Sequence, residues 1–270
     1  MIFIDQMANE LNLAVTPKRI ISLVPSQTEL LFDLGLRDEV VGITKFCIHP
    51  NEWFLSKAKV GGTKTIDFEK IKQLGPDLII GNKEENDQKQ IEELMKHYPV
   101  WMSDINTLKH AFDMITRIGM MVDKNFEAIN LKLKIEAEFK NLELRSQPTK
   151  IINVAYFIWR NPIMAAGNNT FINEMLQKSG FQNVFASVDY DRYPIVSSEQ
   201  LKHLNPQIIF LSSEPYPFQE KHFQEFKLIC PNAKVILVDG EMFSWYGSRL
   251  LQAPQYFSQL FEETEKKGIM

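Results

Sequence analysis

The sequence predicts an α/β protein: two Rossmann-like lobes with parallel sheets, joined by one long backbone helix. Three observations lead there. Short Ile-, Val- and Leu-rich runs alternate with amphipathic stretches, and strands separated by helices pair in parallel. Asp67 to Ile80 reads as a gapless copy of Ser197 to Phe210, with Glu69 matching Glu199, Leu74 matching Leu204 and Pro76 matching Pro206, 130 positions apart. Each copy is an N-cap, a short amphipathic helix, a Gly or Asn stop, a Pro and an apolar strand. Finally, Asp123 to Arg145 holds neither Pro nor Gly and is rich in Glu, Lys, Leu, Ala and Phe, the composition of a long helix. One repeat copy on each side of one rod divides the chain into an N-terminal lobe at 1–122, a linking helix at 123–146 and a C-terminal lobe at 147–270.

The elements follow in order. Arg19 to Val24 is a buried strand that stops at Pro25-Ser26, and Thr28 to Leu34 is a helix ended by Gly35. A strand at Val40 to Thr44 leads through a loop with His49-Pro50 to the first repeat copy. Leu78 to Ile80 and Val100 to Met102 are strands flanking a helix from Gln88 to His97. In the long helix, Phe126, Ile129, Leu133, Phe139 and Leu142 give a mostly helical apolar spacing. At about 1.5 Å per residue it would span roughly 33 Å. Ser146 to Thr149 closes it, and Lys150 to Ile158 opens the second lobe as a strand. Thr170 to Ser179, stopped by Gly180, is a helix; Val235 to Val238 is a late strand; and Gln252 onward is a terminal helix with a polar tail.

A chain of 270 residues with a formal net charge of −4 and no dense Lys/Arg run carries no nucleic-acid footprint and no anionic-membrane patch. No apolar run reaches the roughly 18 residues that span a bilayer, so no transmembrane segment is expected. Met1 to Gln6 has no basic n-region, sustained apolar stretch or small-residue cleavage site, so no export signal is expected either. Cys47 and Cys230 fall in opposite halves and are read as two free thiols.

The repeat puts Glu69 and Glu199 first among candidate functional residues. A carboxylate in the first turn suits the helix dipole, and Asp67 and Ser197 are natural caps. The other reading is that each acid receives an arginine of a partner protein. Cys47 and His49 are weak metal candidates, because structural sites take four ligands and catalytic sites about three. Tyr193, in Asp189 to Pro194, and Glu241, Trp245 and Arg249, in Gly240 to Arg249, lie in segments read as loops, whose aromatics are hard to bury as core. They suit a bulky, partly apolar ligand with polar edges. Dinucleotide, Walker, nucleophile-elbow and zincin signatures are lacking, which lowers the expectation of nucleotide or hydrolytic chemistry; with a ligand sought between two lobes, a binding protein is expected rather than an enzyme.

Arg19 to Gly35, then Val41 to Thr44, the two repeat copies and Gly180 to Phe185 carry a family resemblance. From about Lys18 to Leu260 the chain resembles the helical-backbone substrate-binding proteins of ABC importers, and within them the cobalamin-binding branch, whose relatives carry iron-siderophores or haem. The resemblance implies two α/β lobes, a ligand held between them with little hinge motion, and one glutamate per lobe docking onto arginines of the permease, here Glu69 and Glu199. Around a corrin it implies Phe46, Tyr193 and Glu241, with Trp245 in the same loop; His49 and Arg249 complete the expected ligand-binding set. Thr63 and Asn82 stand where that branch tends to place tryptophan. A monomer is expected, with no intrinsic cofactor, a corrinoid or other metal chelate as cargo, and a periplasmic or extracytoplasmic location. The missing export signal leaves a cytoplasmic alternative, an intracellular metal-binding or enzymatic protein on the same scaffold.

Overall fold

The computed structural model describes residues 1–145, 151–187 and 189–266. The expected break at Ser146 to Thr149, the first residue of the strand expected at Lys150, and the end of the polar tail lie outside these. The chain forms two compact units. The first comprises Met1–Ile105, Lys109–Lys134 and Tyr246–Arg249; the second comprises Asn106–Leu108, Ile135–Trp245 and Leu250–Met270.

The first unit opens with a hairpin that the sequence reading did not anticipate, β1 (Ile2–Ile4) against β2 (Glu10–Asn12). Strands of three residues offer too few alternating positions to be read. Asp5 anchors it, its carboxylate accepting from the backbone N–H groups of Met7, Asn9 and Met102. The chain continues through β3 (Ile20–Ser22), α1 (Pro25–Asp33), β4 (Val40–Ile43), α2 (Asn51–Ser56) and β5 (Ala58–Lys59). Then come α3 (Phe68–Leu74), β6 (Leu78–Asn82), α4 (Gln88–Met95), β7 (Val100–Ser103) and α5 (Leu108–Met121). Helix α1 begins three residues before the expected Thr28 because Pro25, whose missing N–H costs nothing at a first helical position, starts it. The five strands lie in the order β5-β4-β3-β6-β7, all parallel. One face of this sheet is covered by Ile71 of α3 and by Ile91 and Leu94 of α4, packed on Ile21, Ile79 and Val100. Helix α5 was missed, although Leu108, Ala111, Ile115, Ile118 and Val122 recur at helical spacing and all are buried.

Helix α6 (Asn125–Arg145) is the long helix, and the division between the units falls inside it, between Lys134 and Ile135. It starts later than expected because Asp123 takes the left-handed conformation at φ 58. Its buried side is only partly the one expected: Phe139 and Leu142 are buried, but the first three members of the expected set are not. Ala128, Ile135, Phe139 and Leu142 are buried, at helical steps of seven, four and three, whereas Phe126, Ile129 and Leu133 lie on another face and are exposed, Phe126 at 76%. Two apolar faces compete in this sequence, and packing selected the one containing Ala128.

The second unit runs through β8 (Ile152–Trp159), β9 (Met164–Ala165), α7 (Phe171–Lys178), β10 (Phe181–Asn183), α8 (Ser198–Leu204) and β11 (Ile208–Ser212). It ends with α9 (Phe223–Ile229), β12 (Lys234–Val238), α10 (Gly240–Ser244) and α11 (Ala253–Lys266), with a short 3-10 turn at Glu220–His222; a second 3-10 turn, Ser248–Leu251, holds the division between the units, which falls after Arg249. Its parallel order is β10-β8-β11-β12, and β9 adds an antiparallel pair to the end of β8. Both cysteines are free and buried. Among the described residues, no helix is long and apolar enough to cross a membrane.

Candidate functional site

The two repeat copies fold into the same local structure. In the first, the Asp67 side chain accepts from the Lys70 N–H at 2.9 Å and Gly75 ends α3 in the left-handed region at φ 55. In the second, Ser197 and Gln200 form a capping box on α8 and Asn205 makes the left-handed stop at φ 43. The likeness extends into the sheet. Ile20 pairs with Leu78 and Val154 with Ile208, which makes Arg19 and Asn153 equivalent. Asp77 accepts from the Arg19 N–H at 2.8 Å and returns its own N–H to the Arg19 carbonyl at 2.9 Å. Gln207 does both with Asn153, at 2.9 Å each way.

Glu69 and Glu199 are each the second residue of their helix, and both are exposed. Among the described residues neither makes a hydrogen bond or ion pair. Capping falls to Asp67 and Ser197. The helix dipole still favours a carboxylate at these places, but the two acids are left open to solvent.

Ligands of open α/β sheets bind outside the carboxyl ends of the strands, and the other candidates lie near such ends within each unit. Beyond β4, Phe46 is 52% exposed and Ile48 45% exposed, with the Lys45 ammonium 5.2 Å from the Phe46 ring centre. Cys47, between them, is fully buried, its Sγ 3.1 Å from both the Thr28 and Thr44 hydroxyls. Burial pushes its thiol up and keeps it protonated, which suits neither a nucleophile nor a metal ligand. Among the described residues, no group of three or more His, Cys, Asp or Glu could hold a metal ion. Asn82 is also buried. It donates to the Ser103 carbonyl and hydroxyl at 3.1 Å each and accepts from the Glu84 N–H at 2.8 Å. That position ties two strand ends together.

Arg249 lies in the first unit and forms a two-pronged pair with Glu29 of α1, at 3.0 and 2.6 Å. Burial pushes the Glu29 carboxyl up, although Arg249 and the nearby His49 pull it the other way. Arg249, singled out in the sequence, thus pairs with an acid that was not, and His49 lies near enough to act on the same carboxyl. The pair fixes the guanidinium's direction and commits two of its nitrogens to Glu29.

In the second unit, Glu241 and Trp245 share one turn, the Trp245 N–H donating to the Glu241 carbonyl at 3.0 Å. The indole Nε1–H donates to Glu214 Oε1 at 2.9 Å, and the Ser244 hydroxyl reaches the same oxygen at 2.5 Å. The expectation that Gly240 to Arg249 is a surface loop is corrected. It forms α10 and a 3-10 turn, and Phe243, Trp245 and Tyr246 are buried. Gly240 makes this packing possible, since a Cβ there would lie 2.4 Å from the Ser212 hydroxyl. Tyr193 is half-buried, with the Arg192 guanidinium 5.9 Å from its ring centre and that guanidinium in turn donating to Asn106 at 2.6 Å. Glu29, Glu214 and Arg192 were missed because a single charged residue in a helix or loop carries no spacing signal; Glu214-Pro215, directly after a strand, was the available hint.

Comparison with known proteins adds to this geometry. Residues 20–228 match the pattern of the family described as Periplasmic binding protein. The chain is similar to a vitamin B12-binding protein of Vibrio vulnificus, 29% identical over 256 residues that cover 93% of this chain and 92% of the relative. It is also similar to YvrC, an uncharacterized ABC transporter substrate-binding lipoprotein of Bacillus subtilis, 27% identical over 279 aligned positions covering 98% of this chain and 87% of the relative. Among solved structures, the periplasmic vitamin B12 binding protein BtuF of Vibrio cholerae superposes with a TM-score of 0.78 at 24% identity, covering 93% of this chain and 99% of that one. At that identity the likeness is one of fold.

Proposed function

We propose that this chain, which belongs to the periplasmic binding protein family, captures a corrinoid and presents it to the permease of an ABC importer. The relatives named above are substrate-binding proteins, and the corrinoid is the finer step. Similarity to a protein named for vitamin B12 over 93% of the chain carries it. The ligand-facing set we assign is Phe46, His49, Tyr193, Glu241, Trp245 and Arg249. Flat aromatic faces would exclude water from a bulky chelate, and Glu241, His49 and Arg249 would set its orientation through amide and phosphate edges. No catalytic residue is assigned. Like its periplasmic and lipoprotein relatives, the chain would work outside the cytoplasm, as a monomer, with lobes at 1–122 and 147–270 about a linker at 123–146. Glu69 and Glu199 are the docking acids of this reading, supported by their duplication and by the lack of any partner among the described residues.

Titration with cobalamin, cobinamide, haem and a ferric siderophore, followed by tryptophan fluorescence, tests the ligand. A corrinoid is expected to bind most tightly; a Kd above about 100 μM for all four, only about 5.5 kcal/mol of binding, overturns the proposal. A Glu69→Ala/Glu199→Ala double variant is expected to keep the corrinoid Kd and lose association with the permease. Unchanged association would make these carboxylates dipole partners of their helices and nothing more.

A further inference from the structure

Helices α3 and α4 leave a groove of about 440 Å³ beside Glu69, within the range of about 300–1,000 Å³ typical of binding pockets. Phe68, Leu94 and Tyr98 give it an apolar lining. Leu94 is a buried member of the aliphatic core, Tyr98 packs half-buried against that core, and Phe68 keeps 37% of its surface exposed at the start of its helix. The charges around the lining are not equivalent. Glu93 is already occupied by Lys96 at 2.6 Å, with the His97 ring at 3.7 Å, and the Lys96 ammonium lowers the pKa of its carboxyl. Glu69 and Lys72, one helical turn apart on the α3 side, engage no other described residue. The groove therefore offers an apolar surface next to one open carboxylate, with an ammonium beyond it that disfavours a wholly cationic visitor.

The repeat sharpens this. Glu199 and Lys202 reproduce the two open charges on α8, but Ser198 stands where α3 has Phe68. The charge pattern is duplicated and the aromatic is not.

We infer that the α3/α4 groove is the dominant anchor for the importer's permease, receiving a segment that sets an arginine on Glu69 and an adjacent apolar side chain against Phe68 and Tyr98. The inference rests on reading Glu69 and Glu199 as docking acids. A half-exposed aromatic beside an unneutralised carboxylate is the composition of an interface hot spot, where an apolar contact keeps water from the ion pair. The α8 edge supplies an ion pair without that shield, so the two edges contribute unequally.

The test measures binding of the full-length protein, with and without cyanocobalamin, to the cognate permease–ATPase complex held in nanodiscs. Phe68→Ser gives α3 the residue of α8, with its melting temperature measured alongside to separate lost folding from lost association, and Ser198→Phe is the reciprocal exchange. Phe68→Ser is expected to weaken association about tenfold without altering cyanocobalamin affinity. Ser198→Phe is expected to leave association intact or strengthen it, and Glu69→Ala to weaken it more than Glu199→Ala. If Phe68→Ser binds within twofold of the parent while the double glutamate variant has lost binding, the groove is not an anchor and the docking reading stands. If all of these variants bind like the parent, both are overturned.

Discussion

On the face of the first unit's sheet covered by α3 and α4 the core is aliphatic, built from Ile21, Leu23, Ile79, Ile91 and Leu94, whereas the second unit packs Phe157, Phe185, Phe218 and Phe226 in one cluster on its own sheet. Yet the backbone beneath is repeated down to individual hydrogen bonds, as at Asp77–Arg19 and Gln207–Asn153. The difference teaches that caps, stops and strand register define the unit, and that the core needs only apolar volume in the right places.

The largest test of that contrast is in the two cores. Phe226 is fully buried, its ring centre 4.9 Å from that of Phe157 and 6.1 Å from that of Phe218. Phe226→Ala is expected to cost about 4 kcal/mol in urea denaturation, against about 1 kcal/mol for Ile79→Val in the first unit. Equal losses would show that the aromatic core is loosely packed and that the comparison has no energetic content.

A smaller effect separates the two helix stops. Gly75 sits at φ 55 with open space around its absent Cβ, so Gly75→Ala loses only through the left-handed backbone, about 1 kcal/mol. Asn205 already tolerates the same conformation at φ 43, and Asn205→Gly is expected to stay within about 0.5 kcal/mol of the parent. A Gly75→Ala variant as stable as the parent would mean that α3 can end in another way.

The smallest effect is a pH slope tied to the second unit. His222 is buried among Tyr216 and Phe218, and its Nδ1 accepts from the Gln219 N–H at 3.0 Å. Burial, with Arg160 and Lys221 nearby, lowers the pKa of its imidazole from the ordinary value. Between those two values the unfolded chain holds more protons than the folded one, so stability present near neutrality is lost as the pH falls through that interval. The urea midpoint is expected to drop between pH 7 and pH 5, and His222→Gln to flatten that drop. An identical slope in the variant would assign it to other groups.

Much of the architecture could be read directly from residue order. The repeat, the parallel strands, both capped helices and both left-handed stops follow from signals contained within a few residues of one another. Helix α5 was equally legible and was overlooked. The hairpin at the N-terminus was not legible, because what holds it is Asp5 reaching Met102, 97 residues away. At the candidate site the aromatics were visible as residue types, but their surroundings were not. Trp245 was read as a loop side chain, and the structure buries it on Glu214.

By itself the sequence determined the elements, their duplication and the two matched acids, because helix caps, stops and apolar periodicity are local interactions that act wherever the chain goes. Only the tertiary structure decided which face of α6 is buried, that Arg249 pairs with Glu29 across a separation of 220 residues, and that Glu69 opens onto an apolar groove. Those outcomes depend on which surfaces exclude water together, and desolvation is set by neighbours in space rather than in order along the chain.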